Sequence, residues 1–221
     1  MMMNLFSTFD PTAMMNLKLN WMSTLIILFF MLNHYWNISS RFVMMFKFFY
    51  SNITKEIKTH LMTKKASLIF MTIILLILFN NVMGLMPYVF TSTSHILMTL
   101  TLALPLWLSL MIFGWINKYN HMFTHLIPQG TPSYLMPFMV LIETISNIIR
   151  PITLSIRLAA NMIAGHLLMT LLGNQGMVIS YSMMSFFIFA QILLLMLESA
   201  VAFIQSYVFM ILSVLYTSEV N

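Results

Sequence analysis

Between residues 143 and 205, a few ionisable and amide side chains recur inside otherwise apolar sequence. Glu143, Arg150 and Arg157 are seven residues apart, and so are Gln191, Glu198 and Gln205. Seven residues make nearly two helical turns, so each set falls on one face of a helix. With Asn147 and Asn161 added, the first set covers roughly 80° of the helical wheel. Tyr216 lies close to the face of the second set. His166 projects about 180° away from Arg157 on the same count. Pro151 loosens the register of the positions after it.

These residue types suit proton handling. Glu and His exchange protons, and burial brings a Glu toward working pH. Arg does not, because its pKa lies above about 12. A permanent cation among proton carriers is therefore an electrostatic device: it attracts a carboxylate and favours the ionised form of that partner. No second carboxylate stands beside Arg157 in the sequence, so its partner is expected on another subunit. Gln191 and Asn147 read as amides that glue helices together. Arg157, Glu143 and Glu198 read as functional, because packing rarely needs full charges. Arg150 carries less weight.

The elements that position them follow from composition. Of 221 residues, only 7% are charged and 60% are hydrophobic, with a mean hydropathy of +0.91. A soluble domain carries about 25% charged residues and must show water a polar face. Soluble globular and disordered classes are poor fits. Nucleic-acid binding is one too, despite the sequence pI of 9.6, because too few Lys and Arg are present to grip phosphates. With no cysteine, disulfide scaffolds and thiolate metal sites are excluded. The long apolar runs mark an all-α polytopic membrane protein. At bilayer depth an ionisable group costs about 2.5–3.5 kcal/mol, so each one needs a reason. Methionine reaches 25 residues, which fills packing positions with a flexible hydrophobe and hints at a mitochondrially encoded chain. Residues 1–16 lack a cationic region before an apolar core, so no secretory signal is expected.

Residues 17–36 are a first spanning candidate, flanked by interfacial Trp21, Tyr35 and Trp36. Residues 40–65 alternate cations (Arg41, Lys47, Lys55, Lys58) with Phe42, Phe46, Phe48 and Phe49. Too charged to span, this segment reads as an amphipathic surface helix. Residues 66–86 and 96–116 are uncharged spans, the second kinked at Pro105, and 91–95 make a polar turn between them. Residues 117–132 are expected to form a loop. Residues 133–172 form a long helical stretch interrupted by Pro137 and Pro151, 173–176 a turn, and 177–216 a final long helix. The whole chain is one membrane domain of five membrane-embedded helices plus the surface helix. Residues 1–65 hold seven cations against two acids, and the remainder three against three. The positive-inside rule then puts the 41–65 segment, the Lys118 loop and the C-terminus on the inner side, and the N-terminus outside.

Several rivals fail. A haem subunit needs histidines facing each other at depth, and His34, His60, His95, His121, His125 and His166 lie mostly near membrane edges. An antiporter-like carrier would favour Lys–Glu pairs and inverted repeats, and neither is visible. A purely structural subunit would not carry charged seven-residue stripes. His121 and His125 have the spacing of two zinc ligands, but no Glu follows His121 and no third ligand is evident. The Asn37-Ile38-Ser39 sequon sits beside the basic segment on the inner side and carries no weight. No nucleotide-binding loop is present, so the chain is not expected to be catalytic by itself, and no cofactor is expected.

The run Arg157-Leu158-Ala159-Ala160-Asn161-Met162-Ile163-Ala164-Gly165-His166 resembles the signature of the a-subunit family of F-type ATP synthases in its mitochondrial, insect-like form. Pro128–Pro132, Glu143-Thr144-Ile145-Ser146-Asn147, Glu198-Ser199-Ala200-Val201-Ala202, Gln205-Ser206-Tyr207-Val208 and Asn80-Asn81 through Pro87-Tyr88 agree in order and spacing. The resemblance implies that the last two helices form a tilted hairpin against a rotating ring of c subunits, each bearing one buried carboxylate. It implies that Arg157 faces that carboxylate and separates two half-channels. Protons would enter near His166 and Glu198 and leave along a path including Glu143, with Asn161 and Gln205 beside Arg157. The implied partners are the c-ring, the peripheral stalk, other Fo subunits and membrane lipids, with no nucleic acid. The implied location is the mitochondrial inner membrane, with the N-terminus toward the intermembrane space and the C-terminus toward the matrix.

Overall fold

The computed structural model describes residues 5–12, 18–25, 40–60, 64–86, 89–127, 132–176 and 179–220. Six α-helices are formed by these residues: α1 (Arg41–His60), α2 (Lys64–Gly84), α3 (Ile96–Asn117), α4 (Tyr119–Leu126), α5 (Met136–Gln175) and α6 (Met184–Val220). Short 3-10 turns at Leu5–Phe9, Leu19–Leu25, Ser92–Ser94 and Tyr181–Met183 complete the order. No strand occurs among the described residues.

Four helical stretches are long and apolar enough to cross a membrane: Ala66–Gly84, Ile96–Asn117, Met136–Gln175 and Tyr181–Glu219. Helices suit this sequence because a bilayer offers backbone groups no other hydrogen-bond partners. The hydroxyls follow the same logic. Thr72, Thr101, Ser109, Thr144, Thr153 and Ser199 each donate to the carbonyl one turn earlier, so even exposed hydroxyls on these spans carry their own partner. The first spanning candidate, residues 17–36, lies largely outside the described residues; Leu19–Leu25 within it is a 3-10 turn.

Two apolar clusters knit the bundle. Ile53 and Ile57 of α1 pack with Phe70, Met71, Ile74 and Leu75 of α2 and with Met210 and Val214 of α6. Ile77 of α2 meets Ala103 of α3, Leu154 and Leu158 of α5 and Phe209 of α6. Helix α1 thus buries one apolar stripe against the neighbouring helices and leaves Met44, Met45, Phe46, Phe48 and Phe49 exposed.

Several sequence expectations are corrected. Residues 119–126, expected in a loop, form α4: Met122 and Leu126, four apart, line a shared cavity with α3 and α5. Pro137 does not interrupt α5. It sits in the first turn, where its missing N–H costs nothing. Pro151 lies inside a helix that runs unbroken through Gln175, beyond the expected stop at 172. The final helix starts at Met184, after the Tyr181–Met183 turn, and continues to Val220. Residues 92–94 do form a turn, but a buried one, with Ser92, Thr93 and Ser94 each 4% exposed or less. It packs between α2, α3 and α5.

Candidate functional site

The polar stripes of α5 and α6 meet different fates. On α6, Glu198 and Gln205 are buried, on the same face as Phe209. On α5, the buried side chains are Leu154, Ser155, Leu158, Ala159 and Met162. The stripe runs along the margin of that buried face, which leaves Glu143, Asn147 and Arg150 half-buried and Arg157 and Asn161 exposed.

The two stripes touch at one level. The Asn161 side-chain amide donates to Gln205 Oε1 at 3.0 Å and ties α5 to α6. Arg157 stands one turn away on α5. This residue is exposed and has no salt bridge to the described residues.

Toward the C-terminal end of α5, about 13 Å from Arg157 along the helix axis, lies a second polar group. Glu198 is 8% exposed, with both carboxylate oxygens buried and unpartnered among the described residues. It packs on Gly165, the residue before His166. A Cβ at Gly165 would overlap the Glu198 carboxylate, lying 2.9 Å from its Cδ. Glycine at 165 is what lets a carboxylate approach α5 this closely. His166 is half-buried with Nε2 unpartnered, and its ring meets Phe9 edge-on at 6.3 Å. Gly84 at the end of α2 is tight against this region: a Cβ there would lie 3.1 Å from Thr91 Cγ2 and 3.3 Å from Met162 Cε. Asn80 and Asn81, one turn earlier on α2, are buried with unpartnered amide atoms, as is the Thr93 hydroxyl. Buried polar atoms of this kind cost about 1–3 kcal/mol each unless water or another group satisfies them.

The other end of the stripe lies about 21 Å from Arg157 along α5. Here a cavity of about 580 Å³ opens between α3, α4, α5 and the end of α6, lined by Glu143, Asn147, Arg150, Glu219, Trp107 and Met122 among others. Arg150 Nη1 bonds Glu219 Oε2 at 2.6 Å, while its Nη2 lies 3.8 Å from Glu143 Oε1. The guanidinium also sits over the Tyr216 ring, 5.1 Å from the centroid.

Of the residues singled out in the sequence, the structure brings together Asn161 with Gln205, and sets Glu198 beside the residue preceding His166. It keeps Glu143 far from both groups, with Arg157 between. Sequence reasoning missed Glu219 as a partner of Arg150, because 69 residues separate them. It gave Thr93 no role. Asn80 and Asn81 did carry a signal: adjacent amides inside an otherwise apolar span. Among the described residues, no group of three or more His, Asp or Glu side chains could hold a metal.

Long apolar helices that hold Glu and His side chains in two groups, on either side of an arginine with no salt bridge among the described residues, mark a polytopic membrane subunit. A family model described as ATP synthase A chain matches residues 3–218. The chain is 59% identical over 224 residues to ATP synthase subunit a of Drosophila melanogaster, covering all of both chains. It is 58% identical to ATP synthase subunit a of Locusta migratoria over 224 residues and of Anopheles gambiae over 226, again over the full length of each. The chain belongs to the ATP synthase A chain family, the proton-channel subunits of the Fo sector. Proton translocation is the role of this family.

Proposed function

We propose that this chain forms the stationary wall of the proton path in a mitochondrial inner-membrane ATP synthase, with α5 and α6 as a tilted hairpin facing the c-ring. Arg157 meets each ring carboxylate, keeps it ionised as it passes, and blocks direct proton flow between two half-channels. His166 and Glu198 serve the inlet from the intermembrane space. Asn161 and Gln205 brace the Arg157 level, and Glu143 serves the outlet to the matrix. The N-terminus faces the intermembrane space and the C-terminus the matrix, an orientation supported by the cations gathered between residues 41 and 65. The chain is not catalytic by itself. The peripheral stalk and the other Fo subunits hold it against the ring.

The observation that carries this reading is that Arg157 has no salt bridge among the described residues. An exposed, unpaired cation on a spanning helix is costly unless a partner outside the chain neutralises it. Here it lies between two polar groups displaced in opposite directions along α5, so a ring carboxylate paired with it separates them. Each proton that crosses under 100 mV carries about 2.3 kcal/mol, all of it lost by a leak that bypasses rotation.

The test is Arg157→Ala and Arg157→Gln in assembled enzyme, read by ATP synthesis and ATP-driven proton pumping. Both variants are expected to abolish coupled synthesis. Near-normal synthesis in both would overturn the reading.

A further inference from the structure

Arg150 is the one charge of the α5 stripe without a role in the path above. Its surroundings are specific. Glu219, in the last turn of α6, holds Nη1 at 2.6 Å, and Tyr216 lies under the guanidinium at 5.1 Å. Glu143, two turns back on α5, is left at 3.8 Å from Nη2. The cation is shared unequally, and the stronger contact goes to α6.

We infer that Arg150 is a positioning residue of the outlet, and that Glu219 acts as its anchor, withholding the guanidinium from Glu143. An Arg free to close on Glu143 would form a bidentate charge-assisted pair, and such a carboxylate does not readily take up a proton. An outlet with no cation at all would hold its proton too readily. Anchored on Glu219 and Tyr216, Arg150 stays 3.8 Å from Glu143 Oε1 and does not close on it. The remaining walls of the cavity add no competing charge among the described lining residues: α3 supplies Trp107, Met111 and Trp115, and α4 supplies Met122 and Leu126. Of the described polar side chains at this end, Lys118 before α4 and Tyr119, Asn120, His121 and Thr124 on it are not among those lining residues.

This inference rests on Glu143 serving the outlet, and the experiment separates the two. Inverted inner-membrane vesicles carrying the assembled enzyme expose the matrix face, so external pH is matrix pH. ATP-driven pumping then draws protons in past Glu143. Glu219→Gln releases Arg150 onto Glu143 and is expected to move the pH of half-maximal pumping down by about one unit. Arg150→Gln removes the cation and is expected to move it up by a similar amount. Glu219→Asp keeps the carboxylate and is expected to retain the parent profile. Native gels check that each complex assembles. A tie that only holds α5 to α6 would lower the amount of complex or its rate without opposite shifts, so unshifted profiles, or shifts of one sign, overturn the inference. Glu143→Gln tests the reading beneath it: unchanged pumping there removes Glu143 from the path, and the inference with it. Blocked pumping there, with unshifted Arg150 and Glu219 profiles, removes the anchor alone.

Discussion

Glycine 165 shows how one residue sets the chemistry of another. The Glu198 carboxylate occupies the space that a Cβ at 165 would need. Gly165→Ala therefore displaces the carboxylate from α5 and is expected to cut ATP synthesis several-fold in assembled enzyme. Gly173→Ala meets open space and is expected to leave the rate unchanged. Equal rates for the two variants would show that the close approach does not matter. Glu198→Gln keeps the shape but loses the exchangeable proton, and is expected to slow synthesis most when the proton-motive force is limiting. An unchanged rate under that condition would remove Glu198 from the inlet. The importance of Glu198 was legible in the sequence, because a carboxylate inside an apolar helix is costly. The reason for a glycine at 165 was not, because the contact joins two helices.

Among the elements, α5 and α6 are held together by packing and by the hydrogen bond from the Asn161 amide to Gln205 Oε1, since lipid provides no hydrophobic drive for helix association. Leu158 is fully buried in the cluster that joins α2, α3, α5 and α6. Leu158→Ala is expected to cost about 2–5 kcal/mol, which would appear as reduced retention of the subunit in the complex on native gels. Ile156, exposed on the same helix, is expected to tolerate alanine in that assay. The four spans between residues 66 and 219 were legible in existence and order because apolar length alone marks them. Two boundaries and one element were not. Gly173, Gly176 and Pro137 are breaker types, yet the helix passes Gly173 and begins at Met136 with Pro137 in its first turn, where no internal hydrogen bond is lost. Residues 119–126 look polar in isolation, and become a helix with Met122 and Leu126 set against the cavity that α3 and α5 share.

For the molecule as a whole, the outer faces of α5 and α6 remain uncovered. Ile145, Ile149, Ile152 and Ile156 on α5, and Ile192, Leu193, Met196 and Leu197 on α6, are exposed. An apolar surface this extended marks contact with lipid or with a partner. Because the chain contains no cysteine, single cysteines report its neighbours cleanly. A cysteine replacing Ile156, beside Arg157, is expected to cross-link to a cysteine placed near the ring carboxylate, and one replacing Leu158 is not. The reverse result would mean that the ring meets a different face.

Taken alone, the sequence determined that this is a helical membrane protein and which charges need a purpose, because transfer free energies depend on residue type and run length. It also determined that Arg157 and His166 lie on opposite sides of one helix, because helical period is local. Only the tertiary structure decided which of those charges are paired. Arg150 finds Glu219 across 69 residues, Glu198 finds the gap at Gly165, and Arg157 finds no carboxylate in the described chain. Pairing depends on which helix faces pack together, and no local pattern in the sequence encodes that.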